Sequence, residues 1–345
     1  MRGFDYTQLN GQKWDGETLL LVGNLHELKG RQELYVLQKP TEWGRVKTQS
    51  LLDCVAGACG LSGFEISAAR LRALLSHRGV PKTKEERLAV GYGEVLRYIR
   101  ENDSRIPVKA SYLLDLHRQL FLEIGGGGRF KDEQNYMSEV RADGRSYVRF
   151  LPPSPYDTPE AVFSLCNALS LALELRGVDP LFPCFAFLGD FLCVYPFNEG
   201  NEQTAFLLLT LLLLRCGWRV VEYVSIEKII ARKKEEYYEA LKQSSRGWYE
   251  GASDVLPLVK FFLRVLLEAH WKFESRVSRV AAKATAFTQV QAAVAERSGG
   301  FTKREILLAC PSIGRASVEN ALRRMVESGE LVRHGVGKAT YYTRY

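Results

Sequence analysis

The sequence predicts a mainly α protein: a helical core with one β-hairpin, followed by a C-terminal helix-turn-helix unit that ends in a second hairpin. Three observations predict it. Apolar residues recur at three- and four-residue spacing along most of the 345 residues. Strand-forming residues flank an Asp-Gly turn at 142–145. Residues 284–345 read helix, helix, turn, helix, hairpin, the order of a winged helix-turn-helix.

The first helix runs from Thr18 to Leu28, with Lys29-Gly30 as its stop. Leu51 to Leu61 is rich in small residues, which let two backbones approach closely. Ser67–Leu75 and Glu85–Arg100 are amphipathic helices separated by Pro81 and a charged, solvated helix start. After the break at Ile106-Pro107, Leu113, Leu116, Leu120 and Phe121 mark a helix over 109–122. Gly125 to Gly128 end it. No Lys-Ser/Thr follows these glycines, so they read as a flexible connector and not a phosphate loop. The hairpin spans 134–141 and 146–150 and leaves through Pro152, Pro153, Pro155 and Pro159. Glu160–Arg176 is helical.

Two apolar runs within 182–215 then enclose a polar turn, Tyr195-Pro196-Phe197-Asn198-Glu199-Gly200-Asn201-Glu202. Burying both flanks holds such a turn rigidly, and rigid turns suit chemistry. As a helix start, the turn offers Asn201 as cap and Glu202 at the positive end of the helix dipole. Helices follow at 226–243 and 255–283. In the C-terminal unit, Thr302 and Glu305 form a capping box, and Arg315–Ser328 is a second helix closed by Gly329.

Composition narrows the function classes. Hydrophobic residues make up 46% and charged residues 25%, as in soluble globular proteins. Seven cysteines without a CxxC pair read as buried reduced thiols, and five scattered histidines suggest no zinc site. The N-terminus is polar and unlike a signal peptide. The most apolar run, Ala205–Leu214, falls short of the ~20 residues needed to span a bilayer. A cytoplasmic, bacterial protein with no membrane partner is expected.

The central turn resembles the Fic (Fido) family of AMP-transferases. That family carries His-Pro-Phe-x-(Asp/Glu)-Gly-Asn-Gly-Arg-x-x-Arg on a loop entering a helix, and Pro196, Phe197, Glu199, Gly200 and Asn201 match it. Leu116-His117-Arg118-Gln119-Leu120 and Leu151-Pro152-Pro153 resemble further family segments, and the resemblance covers roughly residues 50–280. It implies a Fic-type helical core whose hairpin is a peptide-binding flap, with Asn135, Tyr136, Met137 and Ser138 on the strand used. The domains expected are an N-terminal helical region (1–95), a Fic-like core (96–283) and a winged helix-turn-helix (284–345).

The departures bear on chemistry. Tyr195 stands where the family has its proton-abstracting histidine, and a phenol with pKa ~10 is a poor base near neutrality. Glu202 replaces the second motif glycine, and Gln203 and Phe206 replace the two phosphate-binding arginines. A carboxylate in an anion nest and two missing cations oppose triphosphate binding. Glu199 remains at the family's magnesium position. No cofactor is expected; magnesium-ATP is what the resemblance implies if activity survives. The family's inhibitory helix, Ser/Thr-x-x-x-Glu-Gly, aligns with Ala58 to Gly63, placing Ser62 where its glutamate would pair with the last arginine, here Phe206. Losing both halves together is coherent, because breaking a buried pair costs ~3–5 kcal/mol.

Residues 284–345 hold nine basic and five acidic residues, a net of +4 out of the chain's +7. Arg315, Ser317, Asn320, Arg323 and Arg324 lie on the second helix, and Arg333 and Lys338 on the hairpin. Together they present a DNA-binding face. A homodimer would suit a two-fold DNA site. The expected function is a catalytically degenerate Fic-domain regulator or scaffold that binds DNA. An altered transferase, and a protein-protein adaptor without DNA contact, remain alternatives.

Overall fold

Two helices with almost no polar surface organise the first half of the structure. In α7 (Leu181–Val194) every residue but Gly189 is buried, and in α8 (Asn201–Arg215) everything from Thr204 to Leu214 is buried. Helices apolar all round have to sit inside a shell of others. The computed structural model describes residues 3–344 except 39–42, 141–143, 298, 312, 336, 338 and 339. For residues 34, 37, 38, 140 and 278–285 it describes the backbone alone.

The chain divides into two compact units, residues 1–273 and 274–345. The first opens with a 3-10 turn at Tyr6–Gly11, then α1 (Gly16–Gln38), α2 (Trp43–Leu61), α3 (Ala68–Leu75), α4 (Lys84–Asn102) and α5 (Ala110–Leu120). Strands β1 (Met137–Val140) and β2 (Ser146–Phe150) follow, then α6 (Thr158–Leu175), α7 and α8. Next come α9 (Ile226–Arg232), α10 (Lys234–Ser244) and the long α11 (Leu256–Ala295), whose last residues belong to the second unit. Helices α4 and α5 pack on α8, and α6 on α7.

The small residues of α2 do what their size permits: a Cβ at Gly57 would sit 2.4 Å from the backbone nitrogen of Lys228 in α9. The hairpin is antiparallel, with Ser138 opposite Val148, Glu139 opposite Tyr147 and a register shift between Met137 and Ser138. Its Asp-Gly turn begins outside the described residues, and Gly144 follows with φ of +82°.

Several boundaries differ from expectation. Helix α1 runs through Lys29-Gly30 because tertiary contacts outweigh the ~1 kcal/mol cost of a mid-helix glycine. The Lys29 ammonium donates to the Cys216 carbonyl at 2.9 Å and lies over the Trp218 ring, and Gln32 is buried. The helix expected at 226–243 breaks at Lys233, which closes α9 and precedes α10. Helix α11 continues past 283, since neither Gly nor Pro occurs from 258 to 297.

The second unit has its own core of Val290, Val294, Phe301, Ile306, Val318, Leu322, Met325 and Leu331. It contains α12 (Lys303–Ala309), α13 (Arg315–Glu327) and the antiparallel pair β3 (Leu331–His334) and β4 (Tyr341–Arg344). The Thr302–Glu305 capping box forms reciprocally. No described helix is long and apolar enough to cross a membrane.

Candidate functional site

The turn between α7 and α8 is held by its own backbone geometry and by neighbours from α5 and the segment that follows it. Tyr195 ends α7 in the left-handed conformation, with φ of +47°. Phe197 is fully buried and stacks on His117, ring centroids 3.8 Å apart and nearly parallel. The Asn201 amide reaches back over the turn: the Phe197 N–H donates to its Oδ1 at 2.9 Å, and its Nδ2 donates to the Phe197 carbonyl at 2.7 Å. Asn201 is therefore not the helix cap. It is the first helical residue, and the cap is Gly200, at φ of +77°. A Cβ at Gly200 would lie 2.4 Å from the Phe121 ring.

His117 supports the turn in one tautomer. Its Nδ1 accepts from the Gly128 N–H at 3.0 Å, so the proton sits on Nε2, which donates to the Glu199 carbonyl at 3.1 Å. Burial pulls its pKa down to about 4, so the ring is neutral at pH 7. The glycines at 125–128 are thus more than a connector, because a Cβ at Gly127 would lie 2.7 Å from the His117 carbonyl. Buried Lys131 donates through its backbone to the Pro196 carbonyl at 2.8 Å and through Nζ to the Val194 carbonyl at 3.1 Å. Desolvation lowers its pKa to about 8, while the C-terminal end of α7 favours its charge.

A cavity of about 280 Å³ lies between this turn, the hairpin and α10, with Met137, Ser138, Arg149, Tyr195, Glu202 and Tyr238 among its walls. Burial, and then the Glu202 charge, push the Tyr195 hydroxyl above the ordinary tyrosine pKa. Burial likewise raises Glu202, whose carboxylate accepts from the Tyr238 hydroxyl at 3.1 Å. Among the described residues Glu202 has no ion-pair partner; the nearby Lys234 ammonium donates to the Leu61 carbonyl at 3.3 Å.

The other motif residues go elsewhere. Glu199 is more than half exposed and pairs with Lys84 at 2.5 Å. Gln203 donates to the Ser62 hydroxyl at 2.6 Å, which donates in turn to the Ala58 carbonyl at 2.8 Å. Phe206 is 1% exposed and packs near the Tyr237 ring. The segment Ala58–Gly63 does reach the motif, where Ser62 is hydrogen-bonded to Gln203 while Phe206 lies in the core. Gly63, at φ of +83°, lets the chain leave α2.

On the hairpin, the Asn135 side chain is already used: its Nδ2 donates to the Phe197 carbonyl at 2.9 Å. Tyr136 is exposed, and Met137 and Ser138 line the cavity. Glu139 pairs with Arg149 at 3.0 Å and Lys242 at 2.7 Å. In the second unit Arg315, Ser317, Asn320, Arg323, Arg324 and Arg333 are all exposed, and Lys338 lies outside the described residues.

Sequence reading did not find Lys131, Tyr238 or the Glu139–Arg149–Lys242 cluster. No local signal distinguishes a buried lysine from a solvated one. The remaining cluster joins residues about a hundred positions apart.

Residues 107–213 match the model of the Fic/DOC family. The chain is 28% identical over 192 residues to the Protein adenylyltransferase Fic of Nematostella vectensis, covering 52% of this chain and 38% of that protein. It is 25% identical over 252 residues to the Protein adenylyltransferase fic-1 of Caenorhabditis elegans, covering 70% of this chain and 44% of that one. The chain thus spans about four tenths of the length of the curated relatives it matches. A Fic family protein from Desulfovibrio desulfuricans G20 superposes with a TM-score of 0.64 over 97% of both chains at 18% identity. Fic-1 (aa134–508) from C. elegans gives 0.59 over 78% of this chain and 73% of that one, at 21% identity. At these identities the likeness to both structures is one of fold. The Fic/DOC match is thus to residues 107–213, and the fold around them is that of Fic-family structures.

Proposed function

We propose that this is a catalytically degenerate Fic-domain protein, acting as a regulator or scaffold, whose C-terminal unit is a winged helix-turn-helix that binds DNA. One observation carries the first half: Tyr195 and Glu202 share a cavity wall, where a nucleotide-transferring site needs a base and an anion nest. The curated relatives are named protein adenylyltransferases. The residues here do not fit magnesium-ATP. Tyr195 has a raised pKa and is a poor proton acceptor near neutrality. Glu202 puts negative charge where phosphate would sit, Gln203 is engaged with Ser62, and Phe206 lies in the core. Glu199, the remaining candidate for a metal, points to Lys84, and the described residues hold no cluster of three metal-binding side chains.

The test is AMP transfer to a bulk protein substrate by the wild type, by Tyr195→His/Glu202→Gly/Gln203→Arg, and by the same variant with Phe206→Arg added. Activity in either variant and none in the wild type is the expected result. Transfer by the wild type overturns the reading and leaves the altered-transferase alternative.

The DNA half rests on the +4 charge of residues 284–345 and the exposed Arg315, Arg323 and Arg333. A second reading, a protein-protein adaptor, is favoured by ion pairs on α13: Glu319 pairs with Lys303 at 2.6 Å and Arg315 at 3.1 Å, and Arg324 stacks on Phe287. Gel shifts with mixed-sequence duplex at several salt concentrations separate the two. Salt-sensitive binding supports DNA, and its absence supports the adaptor.

A further inference from the structure

We infer that the cavity beneath the hairpin is a binding site for an organic cation, a primary ammonium or guanidinium group carried on an apolar body. The inference rests on reading Glu202 as a charge that excludes triphosphate. It adds what the same charge would accept.

Four charged groups bear on the cavity besides Glu202: Glu139, Arg149, Lys242 and Lys234. Glu139 pairs with Arg149 and Lys242. Arg149 also donates to the Ser245 hydroxyl at 2.8 Å and approaches the Met137 sulfur at 3.6 Å. Lys242 is held by Glu139, and Lys234 by the Leu61 carbonyl, over the Tyr238 ring. Arg149, Lys242 and Glu139 therefore satisfy one another, while Lys234, bonded to a carbonyl, acts on Glu202 through space without forming an ion pair. Glu202 is the one charge on the wall whose only direct partner among the described residues is a neutral hydroxyl, that of Tyr238.

A partly buried carboxylate with no paired cation is an unfavourable arrangement that a bound cation relieves. The surroundings suit such a guest. Tyr195 and Tyr238 supply aromatic rings, and rings attract ammonium and guanidinium groups. Met137, Leu192 and Leu241 form an apolar wall for the body that carries the charge. A space of about 280 Å³ matches a small arylalkylamine or one basic side chain, and a single charge-assisted bond then fixes its orientation.

Calorimetric titration of the full chain tests this with phenethylamine, agmatine and a capped Ala-Lys-Ala peptide, each against a neutral counterpart of equal size. The wild type should bind at least one cation about tenfold or more tightly than its neutral counterpart. Binding of the free amines identifies a small-molecule site, and binding of the peptide alone identifies a basic side chain as the guest. Glu202→Gln should lose the preference while its melting temperature is kept, whereas Tyr238→Phe, which keeps the ring and frees the carboxylate, should retain it. Affinity should fall as pH is lowered and Glu202 takes up a proton. Equal binding of cations and neutral counterparts by the wild type overturns the inference, as does an unchanged preference in Glu202→Gln. Tight ATP binding by the wild type sinks the degenerate reading instead, so the two failures are distinguishable.

Discussion

The turn at 196–201 and the first turns of α8 at 202–206 are adjacent in the chain and opposite in character. In the turn, the residues that match the Fic pattern, Glu199 apart, are those that shape the backbone. Phe197 is locked against His117, Gly200 takes a left-handed conformation against Phe121, and Asn201 bridges its own loop. In the following turns, the positions that would do chemistry hold side chains that instead line a cavity, bond to Ser62 or join the core. The backbone-shaping residues of the turn thus match the family's pattern while the side chains that follow it depart from that pattern. The turn's residues hold the two central helices together, whereas of the residues that follow, Phe206 joins the core and Glu202 and Gln203 stay at its edge.

That contrast can be broken by stability measurements, with the largest effects expected in the turn. Gly200→Ala forces a Cβ into the Phe121 ring at positive φ and should cost about 2–4 kcal/mol in denaturant unfolding. Asn201→Ala strands the buried N–H of Phe197, leaves its carbonyl to Asn135 alone, and should cost about 1–3 kcal/mol in the same measurement.

Acid sharpens the comparison by acting on the turn's support. His117 and His270 are buried with pKa values of about 4, below their ordinary 6.5. The unfolded chain binds protons that the folded chain refuses. Their contribution is therefore complete above pH 6.5 and is lost as pH falls towards 4, a matter of a few kcal/mol in all. Melting temperatures across that window should drop, and the drop should be smaller in His270→Phe. A melting temperature independent of pH between 6.5 and 4 would contradict it.

The chemical positions should give the smallest effects. Ser62→Ala removes two part-buried side-chain bonds, from Gln203 and to the Ala58 carbonyl, and should cost about 1 kcal/mol. Glu202 has a raised pKa, so ionisation there opposes folding and its stabilising protonated form is lost as pH rises. Glu202→Gln should then be neutral or stabilising by up to about 1 kcal/mol at pH 7. A loss as large as that of Gly200→Ala would end the distinction between shape and chemistry.

Much of this was legible in sequence. Helices α3, α4, α5, α12 and α13 follow from periodicity, capping residues and glycine stops, and the motif turn from its matching residues. The misreadings share one cause. Gly30 stays inside α1 where Lys29 beside it bonds to Cys216, and Gly127 is tight because the chain folds back onto α5. The same holds for Phe206, which fits a helix wherever it faces. Only packing put it in the core and gave Ser62 to Gln203.

By itself, the sequence determined the helical class, the turn that joins α7 to α8, and the identities of the residues at the positions of chemistry. Those are local properties: φ preferences, apolar spacing and side-chain functional groups. The tertiary structure decided which groups meet. It set Tyr195 and Glu202 on one wall with Tyr238 from a distant helix, satisfied Arg149 and Lys242 with Glu139, and left Glu202 without an ion pair among the described residues, with Lys234 acting on it only through space. Electrostatic character belongs to the assembled site because it depends on distances between charges, and no single stretch of chain contains them.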